Sequence, residues 1–61
     1  MKYYAYRENF ETFIRILPDG SIESYEGNGE WSKRGGTLSK MVLDTYYVEL
    51  SKGDVVKKIL K

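Results

Sequence analysis

Phe10-Glu11-Thr12-Phe13-Ile14-Arg15-Ile16-Leu17, Pro18-Asp19-Gly20, Ser21-Ile22-Glu23-Ser24-Tyr25-Glu26-Gly27: two alternating segments flank a turn, and the stretch reads as a β-hairpin. Pro18 presets φ for the first central position of a type I turn. Asp19 suits the second, and Gly20 takes the left-handed residue that closes a three-residue loop. The turn predicts a register with Leu17 opposite Ser21, and therefore Ile16 opposite Ile22, Arg15 opposite Glu23, Ile14 opposite Ser24 and Phe13 opposite Tyr25. Phe10, Ile14, Ile16 and Ile22 then share one face, the expected core face. The other face carries an Arg15–Glu23 charge pair and a Phe13–Tyr25 aromatic pair, cross-strand contacts that typically stabilise by roughly 0.2–1 kcal/mol each. With large apolar side chains on both sides, the second face either lies under another element or serves as a contact surface.

The chain has 61 residues, the length of one small domain spanning residues 1–61. A domain this size removes only about 60% of its unfolded surface from water, so self-association is a natural route to added stability. There is no cysteine and no histidine, which excludes a disulfide framework and leaves no expected zinc, haem or iron–sulfur cofactor. The start Met1-Lys2-Tyr3-Tyr4 has no apolar run of signal-peptide length, and no window approaches a membrane-spanning stretch of about 20 residues. The expected setting is cytoplasmic, without membrane association. A net charge of +1 argues against a dedicated duplex-DNA binder, which needs a clustered basic surface. Basic charge gathers toward the C-terminus: residues 1–27 hold three basic and five acidic side chains, residues 46–61 four and two.

Outward from the hairpin, Lys2 to Glu8 is rich in tyrosine and reads as a strand, with Tyr4 and Tyr6 on one face and Tyr3, Ala5 and Arg7 on the other. Asn9 marks either a turn or a bulge. Gly27-Asn28-Gly29 is a second turn signal, followed by a short strand, Glu30 to Lys33, whose Trp31 is expected to anchor the core. Lys33-Arg34-Gly35-Gly36-Thr37 reads as an exposed loop. Leu38 to Asp44 fits a helical turn through Leu38, Met41 and Val42 and a strand through Met41, Leu43 and Thr45; strand is the expectation taken. Thr45 to Leu50 alternates as a strand, with Tyr46, Val48 and Leu50 on one face. Ser51-Lys52-Gly53-Asp54 has the form of a capping box opening an amphipathic helix with Val55, Val56, Ile59 and Leu60 on one stripe. Lys57, Lys58 and Lys61 lie away from that stripe and in the last turn, where cations suit the helix dipole.

Motifs that carry chemistry are few. Glu23, Glu26 and Glu30 form a loose carboxylate group best read as a solvated hairpin face. Asp19, Ser21 and Glu23 begin like a calcium loop but lack its bidentate glutamate, and Gly27-Asn28-Gly29 lacks the third glycine of a dinucleotide turn. Lys33 and Arg34 beside two glycines suit a phosphate or an acidic partner, although an exposed connector is the preferred reading. Aromatics interleave with cations in the manner of single-strand binders, yet a small domain spends most of its aromatics on its core.

The expected fold is α+β: an antiparallel meander of four to five strands with one C-terminal helix packed on one face. The expected function is a non-enzymatic module that binds another protein, a second copy of itself included, through an aromatic sheet face or an open edge. The competing reading is a weak binder of RNA or single-stranded DNA. Candidate partner-binding residues are Tyr3, Tyr4, Tyr6, Phe13, Tyr25, Trp31, Lys33 and Arg34.

Overall fold

The computed structural model describes residues 1–60, the side chain of Leu60 apart. The expectations for the Leu60 side chain on the apolar stripe and for Lys61 in the last turn therefore lie outside what is described. The fold is α+β. Strands β1 (Lys2–Tyr6), β2 (Phe13–Ile16), β3 (Ile22–Tyr25) and β4 (Trp31–Arg34) form a meander, followed by helix α1 (Lys40–Tyr46), strand β5 (Tyr47–Glu49) and helix α2 (Lys52–Val55). The last helix runs on as a π-helical turn over Val56–Leu60. All strand pairs are antiparallel and the spatial order is β4-β3-β2-β1-β5, so β5 returns past the meander to pair with β1.

The β2–β3 hairpin has the register that its turn predicts: Ile14 lies opposite Ser24, Arg15 opposite Glu23 and Ile16 opposite Ile22. Gly20 adopts φ 90°, and the Gly20 and Leu17 amides donate to Leu17 O and Ser21 O, each at 2.9 Å. Asp19 Oδ1 accepts from the Ser21 amide at 2.9 Å and the Ser21 hydroxyl at 2.7 Å, an Asx-turn that braces the loop.

Both faces of the sheet are covered. Ala5, Phe13, Leu50, Val55 and Ile59 form one buried cluster, placing α2 and its π-helical extension over one face. Ile14, Ile22 and Tyr47 form the other, with Leu38 and Leu43 laid on it from α1 and the residues leading into it. Ile14 is fully buried. This two-sided cover explains why the hairpin is apolar on both faces.

Four expectations are corrected. Phe10 is not a core residue: it is 42% exposed, with φ 53°. Asn9 Oδ1 accepts from the amides of Glu11 (2.9 Å) and Thr12 (3.2 Å), a turn that outcompetes the strand tendency of Phe10 and ends β1 at Tyr6. Residues 38–44 are not a strand. Ser39 caps α1, its hydroxyl accepting from the Val42 amide at 3.2 Å, and the helix lays Leu43 on the face that holds Ile14 and Ile22. Tyr46 consequently ends a helix and is exposed, while Tyr47 is buried in the α1-side cluster and Leu50 in the other. The C-terminal stripe is also split: Val55 and Ile59 are buried, but Val56 is 56% exposed. The capping box is present, with Ser51 Oγ accepting from the Asp54 amide and Asp54 Oδ2 from the Ser51 amide.

Candidate interaction surface

The aromatic candidates do not form one exposed surface. Tyr3, Phe13, Tyr25 and Trp31 lie on the α2 side of the sheet, and Tyr4 and Tyr6 on the α1 side. Phe13 is buried, and the five other rings are half-buried and packed against the two clusters.

Trp31 is a peripheral brace rather than the centre of the core. Its ring centroid lies 5.8 Å from that of Tyr3 and 5.0 Å from that of Tyr25. The Arg15 guanidinium sits 4.3 Å from the ring centroid, and Arg15 Nε donates to Glu23 Oε1 at 2.6 Å. Phe13 packs edge-on to Tyr25, with centroids 6.1 Å apart. These contacts occupy the π-surface that a nucleic-acid base would need for stacking.

Lys33 and Arg34 belong to β4 rather than to the loop, and both are exposed. They point to opposite faces. Lys33 lies opposite Glu23 in register, whereas Arg34 lies opposite Ile22 and its Nη1 donates to the Tyr47 hydroxyl at 3.2 Å. The two cations are thus separated by the sheet and do not make one basic patch.

What these residues share is an edge. The Glu26 amide donates to Glu30 O at 2.9 Å, so in β4 the backbone groups of Ser32 and Arg34 also face β3 and those of Trp31 and Lys33 face outward. No strand pairs with that outer side among the described residues. The opposite edge is less open. β5 has only three residues, and its Tyr47 amide already bonds Leu43 O at the end of α1.

A second feature is an open concavity lined by Phe10, Phe13 and Tyr25 and rimmed by Glu11, Glu26, Lys57 and Lys58. The Lys58 ammonium stands 5.9 Å from the Phe10 ring. Its rim carries both signs of charge, so it selects no particular ionic ligand. Sequence reasoning missed Phe10 as a surface wall, although Asn9 as a turn former was the available signal. It placed Glu30 at the start of the short strand Glu30 to Lys33 and in a carboxylate group, without recognising that strand as an open edge.

Among the described residues no helix is long and apolar enough to cross a membrane, and no three metal-ligating side chains converge. Comparison with protein-family models, with curated proteins and with solved structures finds no match in any of the three.

Proposed function

We propose that this chain is a non-enzymatic interaction module that takes an extended segment of a partner protein onto the outer side of β4. The observation that carries this reading is the unpaired edge itself, where the outward N–H and C=O groups of Trp31 and Lys33 offer a template for another strand. Exposed Lys33 and Arg34 give the added strand a preference for acidic residues on either face. The half-buried rings of Tyr3, Tyr25 and Trp31 brace this edge from one side.

The test is a display library of random extended peptides selected against the protein, followed by amide-shift mapping and a comparison with Lys33→Pro. Proline removes one outward donor and leaves the β3–β4 ladder its own bonds. Enriched peptides should shift the Trp31 and Lys33 amides and bind Lys33→Pro about two- to tenfold more weakly, as expected for the loss of one backbone hydrogen bond. Equal binding to both proteins refutes the edge reading. A labelled oligonucleotide is titrated in parallel, and binding that falls steeply with salt transfers the function to nucleic acid.

A further inference from the structure

We infer that β4 pairs antiparallel with β4 of a second copy of this chain about a twofold axis at Ser32, joining two five-stranded sheets into one. The inference rests on the edge reading above and names the strand that the edge takes.

Because Trp31 and Lys33 alone in β4 turn their backbone groups outward, a twofold antiparallel pairing has three compact registers. Pairing Lys33 with its own copy sets like charges directly opposite and is disfavoured. Pairing Trp31 with its own copy opposes two rings already bounded by Tyr3, Tyr25 and Arg15, and leaves Arg34 opposite Asn28 with no charge match.

The remaining register pairs Trp31 with the second copy's Lys33, and Lys33 with the second copy's Trp31. All the outward groups of β4 are then satisfied. On the α1 side of the sheet, Glu30 falls opposite the second copy's Arg34, and by symmetry the pair occurs twice with Ser32 facing Ser32 between them. On the α2 side, each Lys33 lies beside a Trp31, so no like charges meet there. Glu30 and Arg34 are both exposed and so available. Arg34 gives one Nη1 bond to Tyr47 and keeps other donors of its guanidinium for a carboxylate. The flanking Gly29, at φ 85°, leaves the extended conformation and limits the pairing to this short segment.

So short an edge buries far less than the usual 1,200–2,000 Å² of a stable interface, and the pairing is accordingly weak, with a dissociation constant of about 0.1–1 mM. The experiment is an amide-shift dilution series of the intact protein from about 0.05 to 2 mM, which brackets that constant. The Trp31 and Lys33 amides should move with concentration while those of Ser32 and Arg34 hold still. A mixed-label sample should give a cross-copy contact between the α-protons of Glu30 and Arg34. Glu30→Arg alone should weaken association at least about fivefold, Arg34→Glu likewise, and the two combined should restore it to within about twofold, because the swap rebuilds both opposite-charge pairs.

Shifts that do not depend on concentration, or a combined swap that does not rescue, overturn the inference. If selected peptides still shift the β4 amides in that case, the second-copy inference fails alone. If Lys33→Pro binds those peptides as well as the wild type does, the edge reading fails and this inference fails with it.

Discussion

Replacing Arg15 and Glu23 by glutamine, singly and together, measures a contact on which one side of the sheet depends. Arg15 Nε and Nη2 both approach Glu23 Oε1, at 2.6 and 2.5 Å, and the two side chains are 23% and 15% exposed. Unit charges about 4 Å apart attract by about 1 kcal/mol in bulk water and about 4 kcal/mol at an effective dielectric of 20. This pair lies between those limits, and desolvation offsets part of the gain. The expected coupling is about 1–1.5 kcal/mol, above the 0.2–1 kcal/mol typical of exposed pairs. Urea unfolding of the four proteins, followed by far-ultraviolet dichroism, gives the coupling as the departure from additivity. In thermal scans each single variant should lose about 4–8 °C per kcal/mol, as expected for a domain of this size. Arg15→Lys should not recover the loss, since an ammonium keeps the charge but not the fork on Glu23 or the flat contact with Trp31. A coupling inside the ~0.3–0.5 kcal/mol error of additivity would refute the reasoning.

Two further outcomes follow from the turns. Phe10 holds φ 53°, which costs a bulky L-residue about 1–2 kcal/mol and costs asparagine less, while its ring, 42% exposed, has less burial to lose than a core phenylalanine. Phe10→Asn should therefore raise the thermal midpoint, and a lowered midpoint would show that the ring's contacts in the concavity outweigh the backbone strain. The Asp19 carboxyl is held below its ordinary value of 3.8, first by the Ser21 hydroxyl and then by the Ser21 amide. Since the fold prefers the ionised form, the benefit is complete above the ordinary value and fades as pH falls through the lowered one. Urea midpoints measured from about pH 6 down to pH 2 should fall less steeply at the acid end in Asp19→Asn, and an unchanged slope would contradict this account.

The hairpin was legible because local and global signals agree. Pro18, Asp19 and Gly20 specify a turn, the alternation on either side specifies a face, and the two give one register. The capping box at Ser51 was legible for the same reason, since both partners lie within four residues. Residues 38–44 were not, because their apolar positions satisfy two periods at once. Their state is settled by the Ser39 cap and by an uncovered sheet face made by Tyr4, Ile14 and Ile22, distant in sequence. Phe10 followed its strand tendency on paper and lost to the Asn9 side chain in the fold. The candidate aromatics were found as residues, but period-two alternation divides them between two faces. The alternation already showed that division; what it did not show is that a second helix covers the α1 side. The open edge needed strand order, and strand order depends on β5 returning to β1.

That return sets an order for folding. Every other strand pair joins neighbours in sequence, whereas β1 and β5 join Tyr4 to Glu49 and Tyr6 to Tyr47. In the folding chain the meander can zip from β1 to β4 on contacts local in sequence, but β1 keeps one flank bare until residues 46–50 dock. Closing so long a loop is entropically expensive and slow compared with forming the hairpins. Until then the α2 side of the sheet also lacks its cover, since Lys52–Val55 follows β5 in the chain. The exposed stage of folding is therefore the interval before β5 docks, when β1, an interior strand of the finished sheet, is still an edge.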